Sequence, residues 1–280
     1  MSDFLGMRSI LLIEGELIKR HKKISSVIGW IKFLITVTLL LWLMNKGAER
    51  LGYNWQWYRV PGFIFSYKNG QFHPGPLLEG LMVTFQITLI SFFLCMVFGL
   101  VTALMRLSDS FAAKMLARLY LEIIRNTPLL IQLFFVYFVI SPVLEFSAFT
   151  SAVLSLSLFE GAYASEIIRA GIVSIDKSQW DAAYSLGISR FHTYRYIVLP
   201  QALRRVLPPL TGQTVSLIKD SALVSTISIY DLTMQGRAVI SKTFLTFEIW
   251  FTVAMIYLVI TASVSLLARL LENQLKYKKG

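Results

Sequence analysis

Stretches of about twenty apolar residues recur along this 280-residue chain, and they limit its fold more than any other feature. A run of that length crosses the ~30 Å hydrocarbon core of a bilayer as an α-helix. Inside a bilayer only helices or closed barrels satisfy every backbone polar group. A barrel would show alternating segments of about ten residues, and the sequence has none. A soluble domain of this length would need more charge than the 15% present beside 55% hydrophobic residues. The chain reads as an all-α polytopic membrane protein.

Six spans are expected: Ile24 to Met44, Leu77 to Met105, Pro128 to Val143 with a lead-in helix from Ala112, Ala148 to Ile168, Val206 to Ile229, and Phe247 to Leu271. The second would be about 43 Å long and must tilt or protrude. The fifth is interrupted by Lys219 and Asp220. The first reads as an uncleaved anchor, because Glu14 and Glu16 precede it and no small-residue cleavage site follows.

Basic residues set the orientation. The N-terminal segment, the second and fourth inter-span segments and the C-terminal end together carry 19 Lys and Arg, against 6 in the opposite loops. The positive-inside bias then places both termini and residues 169–205 in the cytoplasm. The net charge of +11 is distributed by loop, which argues against a nucleic-acid partner. Cys95 is the only cysteine and lies within a span, and His21, His73 and His192 are scattered, so no metal site is expected. The loop at 45–76 is rich in aromatics, with an Asn69-Gly70 hairpin signal. It is either an interfacial belt or a docking surface for an extracytoplasmic partner.

The segment 181–200, DAAYSLGISRFHTYRYIVLP, is a polar interruption in this apolar chain. Ser178 to Leu186 reads as a short amphipathic helix with Asp181 near its start and Gly187 as its stop. Ala182 and Ala183 would give it a narrow face able to enter a partner's groove. Leu199-Pro200 reads as the entry to the next helix, since Pro is tolerated in a first turn. The alternative is a basic loop resting on lipid headgroups.

The placement of Asp181, Ala182, Ala183, Gly187, Ile197, Leu199 and Pro200 resembles the EAA loop of permease subunits of ATP-binding-cassette importers, with Asp181 where Glu is usual. The resemblance extends over about 77–272. LLEGLMVTFQITLISFF from Leu77, EIIRNTPLLIQLFFVYF from Glu122, GAYASEIIRAGI from Gly161 and LPPLTGQTVSLIKDSALVS from Leu207 are similar to segments of polar amino-acid permeases. The resemblance implies a type I importer permease fold, a five-helix core plus one extra N-terminal transmembrane helix. Residues 1–76 would hold a cytoplasmic segment, that extra helix and a periplasmic loop. Residues 77–272 would form the core, with a coupling loop at 178–200, and 273–280 a basic cytoplasmic tail.

The implied setting is the bacterial inner membrane. The implied partners are a cytoplasmic ATPase subunit, a second permease copy or paralogue, an extracytoplasmic amino-acid-binding protein and membrane lipid. The chain has no Gly-x-x-x-x-Gly-Lys-Ser/Thr. It is therefore expected not to be an enzyme and to bind no cofactor, with ATP and Mg on the ATPase subunit.

Within the spans, an ionised carboxylate is costly unless paired or hydrated, which makes Glu160 a candidate contact for substrate. Ser157, Gly161 and Ser165 form a small-residue stripe beside it that lets helices approach closely. The alternative is an internal ion pair with Lys219. Thr84, Gln86 and Thr88 put polar groups on the second span, either lining a path or bonding to their own helix. Lys219 and Asp220 point about 100° apart and each needs a partner, water or a helix break. An ATP-independent channel or carrier using Glu160, Lys219 and Asp220 as a relay remains the rival reading.

Overall fold

The computed structural model describes residues 28–40, 42–43, 45–47, 52–68 and 71–277. The chain forms two units, Met1–Trp55 and Gln56–Gly280. The described part of the first unit centres on helix α1 within Ile28–Gly47. Trp30, Ile31, Phe33, Leu34, Ile35, Leu39 and Trp42 are all exposed, so α1 presents apolar side chains on most of its circumference, interrupted by Lys32, Thr36 and Thr38. The basic residues before it, and Ile24, where the first span is expected to begin, lie outside the described residues.

The second unit opens with a 3-10 turn, Trp57–Arg59, then α2 (Pro61–Ile64) and an antiparallel hairpin, β1 (Phe65–Lys68) with β2 (Gln71–Pro74). The register runs from Phe65↔Pro74 to Lys68↔Gln71. The Asn69-Gly70 pair lies outside the described residues. Eight further α-helices carry the fold: α3 (Pro76–Leu107), α4 (Phe111–Arg125), α5 (Leu129–Phe134), α6 (Ser141–Leu144), α7 (Ala148–Val173), α8 (Lys177–Ser185), α9 (Arg190–Thr193) and α10 (Leu199–Asp220). A 3-10 stretch, Ser221–Ile227, leads to the last two, α11 (Leu232–Thr243) and α12 (Thr246–Tyr277).

Among the described residues, α1, α3 and α12 are long and apolar enough to cross a membrane, and α4 and α5–α6 meet at a bend of 105°, apolar enough together for a broken span or a re-entrant loop. The bend falls at Pro128, which serves as the N-cap of α5 with extended backbone. The lead-in helix expected from Ala112 is α4. Helices α7 and α10, at 26 and 22 residues, are also long enough to cross. Their greater polarity reflects packing inside the bundle, where half of α7 is buried.

Helices α3 and α7 run parallel, because contacting positions rise together. The Ser91 hydroxyl lies 3.4 Å from Val153 O, Gly99 meets Ala164, and Ala103 clusters with Ile168. Helix association in lipid relies on close packing and hydrogen bonds, and the small-residue stripe supplies that closeness. A Cβ on Gly161 would stand 2.9 Å from Phe98 Cβ, and Ser157 Oγ reaches Ser91 O at 3.4 Å. At the far end of α7, a Cβ on Gly171 would overlap Val206 of α10. The core between these helices contains Ile87, Leu133, Leu156, Leu217 and Ile227.

Two π turns, Phe135–Ile140 and Tyr194–Val198, interrupt helical runs. Each is closed by an N–H bonding five residues back, Ser141 to Val136 O and Leu199 to Tyr194 O, and in each that closing residue is followed by proline, Pro142 or Pro200. Proline brings no N–H to the preceding turn, and the wider turn absorbs that loss. Helix α10 begins at Leu199 with Pro200 in its first turn, as expected, but it does not follow a loop. The helical run starts at Arg190, capped by the Ser189 hydroxyl accepting from His192 N–H, and continues through the π turn to Asp220.

The fifth expected span ends as an α-helix at Asp220, where the 3-10 stretch begins. Lys219 and Asp220 therefore sit at a helix break. Helix α11 follows in what reads as an outer loop. Asp231 caps it by accepting from Met234 N–H at 2.8 Å.

Candidate functional site

The loop joining α7 to α10 is built on a short, well-terminated helix. The Asp176 carboxylate caps α8 by accepting from Ser178 N–H at 2.8 Å, and this backbone donor holds the carboxyl below the usual carboxylate range. The first turn of α8 contains no acidic residue. Asp181, its fifth residue, thus does not complement the helix start as expected; Asp176 has that position, because the helix begins at Lys177.

Gly187 does stop α8. With φ +71°, it occupies the left-handed region open to glycine. Its N–H donates to Tyr184 O at 2.9 Å, and Ile188 N–H donates to Ala183 O at 3.1 Å. Together these make a Schellman closure.

The loop is fixed to the bundle from beneath. Trp180 of α8 meets Tyr194 edge-on at 4.8 Å, and both pack on Ile175, Val198 and Ala202. Arg205 donates to Ser174 O and, at 2.9 Å, to its hydroxyl. Ala183 is buried while Ala182 is exposed. Only Ala182 contributes to an open small-residue face, since helical geometry turns Ala183 about 100° away, and α8 packs on α9 and the π turn that follows it. Asp181, Leu199 and Pro200 are exposed and Ile197 is half-buried, its carbonyl accepting from Gln201 Nε2 at 2.9 Å. Leu186 and Phe191 are 79% and 68% exposed, so the tip of the loop is apolar and uncovered. Arg190 reaches Asp109, beyond the end of α3, at 3.9 Å.

Glu160 is fully buried in α7, on the face turned into the bundle. Its Oε2 accepts from Gln213 Nε2 of α10, while Oε1 has no protein partner. The Asp220 side chain lies beside the same carboxyl group, close enough to share a hydrogen bond with it. Lys219 is exposed, and no ion pair joins it to Glu160 among the described residues. Lys219 sits in the last turn of α10, where its charge complements the helix dipole. Glu160, Gln213 and Asp220 thus come together, and Lys219 stays apart. A cavity of about 10 Å³ beside Gln213, lined also by Cys95, Ala164, Thr214 and Leu217, has room for about one water.

Thr84 and Thr88 are buried and Gln86 is exposed on the other side of α3. The Thr88 hydroxyl donates to Thr84 O at 2.8 Å. That of Thr84 donates to Gly80 O and accepts from Leu232 N–H, both at 3.1 Å, so it ties α3 to the start of α11. The sequence reading omitted Gln213, whose signal was a polar side chain inside an expected span. It also omitted two fully buried acids, Asp231 and Glu248, the second accepting from Gln56 N–H at 2.7 Å.

Comparison with known proteins agrees with this architecture. The family model described as "Binding-protein-dependent transport system inner membrane component" matches residues 95–277. The chain is 38% identical over 203 residues to the glutamine transport system permease protein GlnP of Escherichia coli K12, covering 71% of this chain and 93% of that one. It is 37% identical to the L-cystine transport system permease protein TcyB of Bacillus subtilis 168, covering 71% and 87%. A crystal structure of an amino acid ABC transporter with histidines superposes with TM-score 0.67 at 37% identity, over 71% of this chain and 94% of that chain. The MetNI methionine ABC transporter, at 18% identity, shares the fold with TM-score 0.60. A multi-pass helical bundle, a helix-turn element held out on α7 and α10, and a match spanning most of the chain lead to one assignment: the protein belongs to the family of binding-protein-dependent transport system inner membrane components and has the type I importer permease fold.

Proposed function

We propose that the chain is the membrane subunit of a bacterial inner-membrane importer for a polar or charged L-amino acid, with both termini cytoplasmic. It pairs with a second permease copy or paralogue and receives substrate from an extracytoplasmic binding protein. A separate ATPase subunit, which holds ATP and Mg, docks on the loop from Lys177 to Pro200. The observation that carries this reading is α8 itself. A nine-residue helix closed at both ends, clamped to two bundle helices and left with an apolar tip, fits a partner's groove. Movement of that partner would pass into α7 through Ser174 and Gly171 and into α10 through Tyr194 and Val198.

Glu160 is the proposed reader of substrate charge. Gln213 holds one carboxylate oxygen, leaving the other for an ammonium group when the bundle opens. The orientation is supported by the grouping of Arg106, Arg169, Arg190 and Arg205 at the loop end of the bundle. The reading is tested by purifying the chain with and without a co-expressed ATPase and measuring substrate-stimulated ATP hydrolysis and uptake in vesicles. Uptake that persists without any ATPase would refute it and favour the ion-relay carrier.

A further inference from the structure

A second polar site lies between α3, α4 and α7, away from Glu160. Its centre is Glu166, which accepts from Arg106, from Arg125 at 3.2 Å and from Arg169 at 3.1 Å, so three arginines from three helices surround one carboxylate. Beside it is a cavity of about 290 Å³ lined by Arg106, Arg118, Glu122, Arg125, Tyr163 and Glu166. Glu122 is engaged by Asn126 Nδ2 at 2.9 Å, and Arg125 also lies over the Tyr163 ring at 5.7 Å. Arg118 lines the cavity, is exposed, and has neither ion pair nor hydrogen bond among the described residues. The pocket therefore has a surplus of positive charge and an unengaged guanidinium, a group suited to phosphate oxygens.

The surroundings identify what brings the phosphate. At 100° per residue, α4 has three stripes. Ala117 and Leu121 face the bundle and are buried. Met115, Leu116, Leu119 and Ile123 are each more than half exposed on the opposite flank. Lys114, Arg118, Glu122 and Arg125 form the seam between them. An exposed apolar stripe beside a basic seam is the pattern of a helix at the lipid–water boundary. The cavity is near the lower end of the roughly 300–1,000 Å³ found for small-molecule sites, so it admits a headgroup and leaves the acyl chains along the exposed stripe. We propose that this pocket binds the phosphate of an anionic phospholipid, with Arg118 as its principal ligand and Arg125 as its second.

The test uses the intact transporter complex in detergent, titrated with phosphatidylglycerol or phosphatidylcholine, with bound lipid counted by native mass spectrometry. Arg118→Gln is expected to weaken phosphatidylglycerol binding about fivefold and leave phosphatidylcholine unchanged, while Arg118→Lys restores most of the difference. Arg118 is exposed and unpaired, so the Glu166 cluster survives both substitutions and folding is not at issue. Undiminished phosphatidylglycerol binding in Arg118→Gln, or an equal loss of both lipids, would overturn the proposal. Displacement of phosphatidylglycerol by an equal concentration of inorganic phosphate would overturn it too, and would assign the pocket to a free anion.

Discussion

Gly187 offers the sharpest test of the coupling loop, because its role separates cleanly from packing. A Cβ placed there meets nothing within 4 Å, so substitution creates no clash. The cost is confined to the backbone: holding an L-residue in the left-handed region costs roughly 1–2 kcal/mol. Against this stand the two closing hydrogen bonds, from Gly187 N–H and Ile188 N–H, each worth about 0.5–1.5 kcal/mol net. The terms are nearly equal, so a β-branched residue leaves the closure marginal, whereas asparagine tolerates the left-handed region. Gly187→Val is expected to free the end of α8, and Gly187→Asn to preserve it. In vesicles containing the ATPase and binding protein, Gly187→Val should lower substrate-stimulated ATP hydrolysis and uptake together, by about tenfold for a loss near 1.4 kcal/mol. Gly187→Asn should remain within a few-fold of wild type. The melting temperature of the purified chain should fall by no more than a few degrees for valine and less for asparagine. Equal activity of the valine variant and wild type, or equal damage by both substitutions, would refute the reasoning.

Glu160→Gln should change the relative uptake of basic and acidic amino acids in reconstituted vesicles; an unaltered profile removes Glu160 from the substrate contact. Gly171→Leu forces α7 off Val206 and should destabilise the protein by about 1–3 kcal/mol, read as thermal unfolding in detergent, with Gly171→Ala milder. Asp176 has a depressed folded-state pKa, so its stabilisation is complete above the unfolded value near 3.9 and is lost as pH falls through the lower folded value. Asp176→Asn should therefore speed amide exchange at Ser178 and Gln179 by a constant factor from pH 8 to 5, with the gap narrowing only below about pH 4. A gap that narrows between pH 7 and 5 would implicate another group.

The apolar runs and basic loops made the membrane class legible because each rests on additive composition. The end of α8 was legible for a local reason, since only glycine closes a helix cheaply in the left-handed region. What escaped the sequence depended on partners distant along the chain. Lys219 was a reasonable counter-charge for Glu160, yet the neighbour is Gln213, and only the packing of α7 on α10 decides between them. Pro200 marks the first turn of α10 because a proline signal is read locally, whereas the π turn that joins α10 to the run from Arg190 has no such signal. Ala183 reads as open surface in the sequence but is buried, because α8 folds back on α9 and the π turn, which lie beyond the turn at Gly187. Helix α11 was missed because its sequence has no strong apolar period, although its Asp231 cap was visible.

The π turn at Tyr194–Val198 also sets the rotational phase of one continuous rod. The run from Arg190 to Asp220 places Phe191, at the exposed tip of the loop, and Gln213, on the buried carboxylate, 22 residues apart, a helical path of about 33 Å. One extra residue in that turn advances everything beyond it by about 100°, and this angle points Gln213 at Glu160. Deleting one residue from 194–198 would therefore leave Phe191 in place and turn Gln213 away from Glu160.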